Sequence, residues 1–261
     1  MSNNKWIKNN SKEIISDARK LFLKKNQSTD MKRRFLLGSA TIGGLSLLTG
    51  CDILNSGTTE AALMRISKMN DVFQGWLFDQ NRLAPTYHES MITRPFPFNA
   101  FYAESQAPHI AGDDFKLKIS GLVEEKKDWN LHDLRALPQH SQITRHICVE
   151  GWSAIGKWGG VMLSDFLRAV GADLNARFVG FECADDYYTS IDMATALHPQ
   201  TIIALDWDGE ILPTKYGFPM KIRIPTKLGY KNPKHVTKIL VSNTFNKGYW
   251  EDQGYNWFGG V

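Results

Sequence analysis

Cys148 stands in the block RHICVEGW (residues 145–152), behind Arg145 and His146 and ahead of Trp152, and the other cysteines are Cys51 and Cys183. A thiol acts as nucleophile or metal ligand through its thiolate, a form that Arg145 and His146 would favour if they lie near the sulfur. Thiolate sulfur is also the soft donor that many redox-active metals accept. ICV is equally an apolar run in which a cysteine serves as a small core residue, and spacing alone leaves both readings open. Other chemistries are excluded by their motifs. HExxH, CxxC and CxxCH are absent, which removes the common zinc-protease, thioredoxin and c-type haem signatures. GWSAIG (151–156) looks like a nucleophile elbow around Ser153, but Ile155 occupies a position that must be glycine. No Walker A loop or strand-linked GxGxxG occurs.

The elements that must position these residues are mostly strands. FKLKIS (115–120) alternates apolar and polar residues, which predicts a half-buried strand. RFVGFEC (177–183), TIIALDWDGEILP (201–213) with an Asp208-Gly209 turn, PMKIRIP (219–225) and HVTKILVSN (235–243) supply four or five more. LHDLRAL, entered at Asn130 and stopped by Pro138, predicts a short helix; LSDFLRAVGA predicts another, capped by Ser164 and ended at Gly171. Glu60 to Phe78 carries Leu63, Ile66, Met69, Phe73, Trp76 and Leu77 near helical spacing. Residues 81–109 read as an irregular packed connection rich in proline and aromatics. The pattern predicts an α+β domain with a mixed β-sheet and short helices, rather than a regular βαβ alternation. Tyr249, Trp250, Tyr255, Trp257 and Phe258 crowd the tail, which fits a packed C-terminal cap better than a carbohydrate platform.

The first fifty residues read as a leader. Lys32, Arg33 and Arg34 precede a weakly apolar run, Phe35 to Thr49, which is shorter than the roughly 20 residues a bilayer span takes. A twin arginine before such a run resembles a twin-arginine export signal, and Leu48-Thr49-Gly50-Cys51 resembles a lipobox that would lipidate Cys51. The whole chain carries a net charge of +4, but 10 of its 31 basic residues and only 3 of its 27 acidic ones lie before Cys51. From Cys51 onward 21 basic residues face 24 acidic ones, so the charge gives no support to a nucleic-acid partner. Those 211 residues suffice for one domain with a sizeable core. Cys148 and Cys183, left over in an oxidising compartment, could also pair as a disulfide.

Three ordered blocks, RHICVEGWSAIGKWGGVML, GFPMKIRIPTKLGYKNPKHV and GYWEDQGYNWFGG, resemble molybdopterin-dependent oxidoreductases of the sulfite oxidase fold. The likeness is nearest to small exported bacterial members such as the catalytic subunit of periplasmic methionine-sulfoxide reductase. It implies a single catalytic domain over 95–261, preceded by a tether and helix over 51–94 and the signal peptide over 1–50. It implies one molybdenum-molybdopterin per chain, with Cys148 as the metal's protein ligand. Asn99 and Tyr102 of FNAFY match the family's pterin contacts. Asn232, Pro233 and Lys234 match the loop that takes the pterin phosphate, where backbone donors and a lysine suit a dianion. An ordinary Asn-Pro turn would read the same in isolation.

Three further cofactor-lining positions depart from the reductase: Cys183 replaces a threonine, Lys221 an arginine and Tyr216 an asparagine. Sulfite oxidases proper follow their cysteine with arginines that help hold the anionic substrate. Here Val149-Glu150-Gly151-Trp152 follow, with no cation before Lys157, which counts against sulfite. The resemblance therefore implies an exported enzyme of two-electron, oxygen-atom transfer, or more narrowly an S- or N-oxide reductase subunit. A non-enzymatic envelope-binding lipoprotein is the competing class. The expected partners are a separate haem- or quinol-linked electron carrier and a small-molecule or protein-oxide substrate. The expected place is the periplasmic side of the inner membrane, as a lipid-anchored monomer.

Overall fold

The computed structural model describes residues 56–261, so the leader and Cys51 lie outside the described residues. It divides into a unit ending at Trp76 and a second comprising Leu77–Val261. Helix α1, Ser56–Leu77, is the element expected from the apolar spacing and begins four residues earlier. Leu63, Ile66, Phe73 and Trp76 along it are exposed, and no helix among the described residues is long and apolar enough to cross a membrane.

In the second unit the strands, in chain order, are β1 (Lys118–Gly121), β2 (Gln139–Ile147), β3 (Ser153–Met162), β4 (Phe178–Cys183) and β5 (Tyr188–Asp192). They continue as β6 (Ile202–Trp207), β7 (Glu210–Ile211), β8 (Lys221–Arg223) and β9 (Val236–Ser242). The mixed strand pairing and short helices expected from the sequence are found, with the strands divided between two sheets. One has the order β1-β9-β4-β5; the other runs β2-β3-β6-β7 with β8 also paired to β6. Only the β1–β9 pair is parallel, and it makes the first sheet mixed. The β6–β7 hairpin turns at Asp208 and Gly209, both at positive φ as an Asp-Gly turn requires.

The short helices fill gaps between the sheets. α2 (Leu131–Ala136) starts at Asn130, whose side chain accepts from the Asp133 amide while the Asp133 carboxylate takes the Asn130 amide, a reciprocal cap. α3 (Leu163–Ala169) corrects one expectation: it begins at Leu163, and Ser164 is a buried residue inside it rather than its cap. The Leu163 amide instead donates to Thr201 O at 2.9 Å, so the entering strand boundary satisfies a donor that a serine would otherwise serve. Leu163, Phe166 and Leu167 are fully buried, each worth roughly 1.5–3 kcal/mol in removed apolar surface. α4 (Met193–Ala196) is capped by Asp192.

The tail forms the short helix α5 (Tyr249–Asp252) and is a packed cap, as expected. The Leu228 amide donates to Gly259 O at 2.7 Å, Tyr230 Oη donates to Asn256 O, and Lys231 forms a buried ion pair with Glu251. The same residues, 226–231, lead directly into Asn232-Pro233-Lys234. β8 and the loop after it thus lie against β2: Arg223 donates to Thr144 Oγ1 and Arg145 O, and Gly229 stands close to the His146 ring.

Candidate active site

Cys148 sits at the tip of the β2–β3 hairpin, the longest pairing in the chain. The tip is a closed turn. The Cys148 amide donates to Trp152 O at 2.9 Å, the Gly151 amide donates to Cys148 O at 3.2 Å, and Gly151 takes φ +92. The thiol is buried, and it lies 3.6 Å from the Glu150 carboxylate, which also accepts from Trp152 Nε1 at 2.9 Å.

The expectation that Arg145 and His146 favour the thiolate is overturned. Burial first, and the Glu150 charge with it, pushes the Cys148 thiol up from its ordinary value. Burial first, then the charges of Arg223, Lys221 and Lys234, holds His146 well below the imidazole range, so this ring is neutral. Arg145 points elsewhere, over the Tyr87 ring. The thiol therefore lacks the cationic neighbours of an activated nucleophile, and any metal bound there would have to displace its proton.

Behind the hairpin lies a concentration of buried positive charge. Lys221, Arg223 and Lys234 are 2%, 0% and 9% exposed. They converge because Lys221 and Arg223 alternate onto one face of β8, while Lys234 returns from the following loop. Gly217 lets them approach: at φ +121, a Cβ there would stand 3.0 Å from Lys234 Cβ and 3.1 Å from Lys221 Cβ. Arg223 donates to Asn232 Oδ1 at 2.8 Å, Thr144 Oγ1 and Arg145 O. Lys234 Nζ reaches Lys215 O at 3.2 Å, and Lys221 Nζ faces the Trp158 ring at 4.8 Å.

Among the described residues none of the three cations pairs with a carboxylate within ion-pair distance. Burial is the first cause of a lowered pKa in each: Lys221 well below the lysine range, Arg223 at about 9 and Lys234 at about 8. Two buried imidazole nitrogens also lack partners, His146 Nδ1 and His235 Nε2. His235 Nδ1 is committed to Phe218 O at 2.7 Å. Uncompensated buried charge costs several kcal/mol, so this constellation fits an anionic group that would neutralise it. A phosphate-bearing pterin is such a group.

The other expected residues gather around the same cluster of cations and histidines. The Asn99 amide is 3.4 Å from His146 Nε2. Tyr102 Oη donates to Asp185 Oδ2 at 2.8 Å, and burial first, then this bond, pushes its pKa up. Cys183 pairs with Val236 across the β4–β9 ladder, and the Ala184 amide donates to His235 O, which puts Cys183 beside the pocket. Both Cys148 and Cys183 are free thiols, so the disulfide left open by the sequence is not formed. Asn232 is a scaffold for the loop, its Oδ1 taking the Ile224 amide at 2.7 Å as well as Arg223. Pro233 O accepts from the Ile222 amide. Tyr216 is turned inward: its hydroxyl donates to Phe96 O at 2.7 Å and its ring packs with Phe96 and Trp207.

Sequence reasoning missed Arg223, His235, Asp185 and Trp158 as members of this pocket. Arg223 was within reach, since it stands two residues after Lys221 in the same strand. Asp185 and His235 had no local signal, because they meet only when β4 and β9 pair.

Comparisons with known proteins agree with this geometry. The family model "oxidoreductase molybdopterin binding domain" matches residues 104–250. A putative protein-methionine-sulfoxide reductase subunit YedZ1 from Azospira oryzae is 63% identical over 229 residues, 88% of this chain and 87% of that one. The protein-methionine-sulfoxide reductase catalytic subunit MsrP of Ralstonia nicotianae is 30% identical over 54% of this chain and 46% of its own length. Mitochondrial sulfite oxidase of Drosophila melanogaster is 31% identical over 62% of this chain and 33% of its own. Among solved structures, the sulfane dehydrogenase SoxCD from Paracoccus pantotrophus superposes with a TM-score of 0.50 at 21% identity, over 53% of this chain and 40% of that one. That last likeness concerns the fold alone, and the fold is sulfite oxidase-like, with mixed sheets and short helices. The binding-module reading falls away, and the chain belongs to the family of oxidoreductases built on the molybdopterin-binding domain.

Proposed function

We propose that the chain is the catalytic subunit of a methionine-sulfoxide reductase, using a molybdenum-molybdopterin whose metal takes Cys148 as its protein ligand. The observation that carries this reading is the set Lys221, Arg223 and Lys234, buried beside the Cys148 hairpin with no carboxylate at ion-pair distance among the described residues. Charging such a set costs stability until an anion neutralises it. Among the described residues no group of three or more His, Cys, Asp or Glu could hold a metal ion. A metal at Cys148 would therefore bring its remaining donors with it, as a pterin dithiolene does.

When bound, the cofactor would supply two-electron redox chemistry coupled to oxygen-atom transfer. Reduction of a sulfoxide consumes two electrons and two protons and releases a thioether and water. The protein's share is binding and orientation. Lys234 would hold the phosphate end and Lys221 and Arg223 would neutralise charge from the β8 side. The backbone donors expected of the loop are largely committed: the Asn232 amide donates to Gly229 O and the His235 amide to Gly217 O, and Pro233 has no N–H. Asn99 and Tyr102 border the pterin, with Tyr102 fixed by Asp185. The Cys148–Trp152 turn presents the sulfur at one position, and the neutral His146 ring lies tilted against Trp152 at 5.7 Å without adding charge. The names of the relatives support the sulfoxide as substrate and a separate subunit as electron source.

The leader extends the proposal to location. Arg33 and Arg34 would direct folded, cofactor-loaded protein through twin-arginine export, and lipid on Cys51 would hold a monomer at the periplasmic face beside a haem- or quinol-linked membrane partner. Replacing both arginines with lysine keeps the charge and should retain the precursor in the cytoplasm; normal processing would refute that route. For the activity, the test is elemental and pterin analysis of natively exported protein, then turnover of methionine sulfoxide with a reduced viologen donor. The expected result is about one molybdenum per chain and reduction to methionine. Protein with neither metal nor pterin would refute the reading.

A further inference from the structure

We propose that Glu150 is a specificity-determining residue: its carboxylate, held beside Cys148, repels anions from the mouth of the site and confines it to neutral oxides. The proposal rests on the reading of Cys148 as the reaction centre and names what that centre admits.

Geometry fixes the charge in place. Glu150 Oε2 lies 3.6 Å from Cys148 Sγ and accepts from Trp152 Nε1 at 2.9 Å. Trp152 is half-buried with its ring 5.7 Å from buried His146, so the donor is itself anchored. The turn from Cys148 to Trp152 is closed by two backbone hydrogen bonds and a Gly151 at φ +92, which leaves the carboxylate little room to swing away. With the thiol proton gone, the bond from sulfur would be lost, but the bond from Trp152 Nε1 would still hold the Glu150 carboxylate beside Cys148.

That charge is uncompensated on the solvent side. Glu150 is exposed, and among the described residues no lysine or arginine pairs with it. Its neighbour Val149 is 47% exposed, so the rim beside the sulfur is apolar and acidic. The cations of the site lie on the far, buried side, where the anionic cofactor would neutralise them. An oxyanion or a carboxylate-bearing sulfoxide approaching Cys148 would pass the Glu150 carboxylate, which lies 3.6 Å from the sulfur, and like charges at such separations repel strongly enough near a protein surface to change rates many-fold. A neutral sulfoxide within a polypeptide, particularly beside basic residues, meets no such barrier.

The test has two arms. In the first, full-length metal-free protein is treated with an anionic and a cationic methanethiosulfonate of similar size. Labelling is read on the peptide that carries Cys148, by mass spectrometry. Wild-type Cys148 should react faster with the cationic probe relative to its neutral analogue, and the preference should fade in high salt. Glu150→Gln should raise the anionic-to-cationic rate ratio about tenfold or more, while Glu150→Asp keeps it near the wild-type value. In the second arm, loaded Glu150→Gln should raise the ratio of kcat/KM for a carboxylate-bearing sulfoxide over a neutral one. An unchanged probe ratio, or equal acceleration of both probes from an opened turn, overturns the proposal whatever the metal content. A shifted probe ratio in a wild-type chain that never binds molybdenum would instead leave the charge effect standing and remove the proposed function beneath it.

Discussion

Lys234→Met should strengthen the cofactor-free protein while weakening the loaded one, because the lysine is a liability until an anion arrives. Methionine keeps most of the stem volume and deletes the charge. Burial holds Lys234 at about 8 in the fold against an ordinary 10.5. At 1.36 kcal/mol per unit, charging it inside the empty protein costs roughly 3 kcal/mol. The sign follows from proton counting. Between about 8 and 10.5 the unfolded chain holds this proton more tightly than the fold does, so stability rises with pH across that window. Below about 8 the penalty is complete. Urea unfolding of the metal-free protein at pH 7 should therefore show Lys234→Met more stable than wild type by up to about 3 kcal/mol, less whatever the Lys215 carbonyl loses. The difference should shrink as pH rises toward 10. Loss of one charge-assisted contact costs roughly 1.5–3 kcal/mol, so cofactor affinity should fall about ten- to hundredfold. Equal destabilisation of the empty and loaded proteins would show that Lys234 is an ordinary packing residue and would refute the account of the cation cluster.

Gly217→Ala should lower cofactor retention and stability together, since φ +121 and Cβ contacts of 3.0 and 3.1 Å to Lys234 and Lys221 leave no relaxed placement; thermal unfolding and pterin fluorescence read both effects. Glu251→Gln should cost about 3–5 kcal/mol, because it breaks the buried Lys231–Glu251 ion pair. A loss under 1 kcal/mol by urea titration would show that the tail is not locked to the loop as described. Cys183→Thr should keep most turnover in a viologen-coupled assay, since it exchanges one small side chain beside the pocket for another; a loss equal to that of Cys148→Ser would contradict its peripheral placement.

Much of the scaffold was readable where local chemistry decides it. Asn130 and Asp133 announce a capped helix, Asp208-Gly209 a hairpin, and the alternation in KIR and TKILV a strand with a buried face. The β2–β3 hairpin was not legible as a pair. QHSQITRHI is polar enough to read as connection, and it is a strand because it hydrogen-bonds along its whole length to a glycine-rich partner whose small residues admit Trp207 and Trp158. The same limit applies to the site. Family likeness directed attention to Cys148, Lys221 and Lys234 one at a time. That Arg223, His146 and His235 crowd the same space is a property of the pairing of separate strands, and single residue types carry no sign of it. That His146 is neutral has the same origin, since only the fold reveals its burial and the neighbouring Arg223, Lys221 and Lys234 that disfavour its charged form.

The central claim is that molybdenum sits at the hairpin tip with Cys148 sulfur bound to it, anchored through its pterin to the buried cations. X-ray absorption at the molybdenum edge tests this most directly, on loaded wild type and on Cys148→Ser. The pterin and its phosphate contacts would still hold the metal in the variant. The account predicts that Cys148→Ser retains molybdenum, loses one sulfur neighbour together with its sulfur-to-metal charge-transfer absorption, and no longer turns over. An identical sulfur count in the two proteins would contradict it.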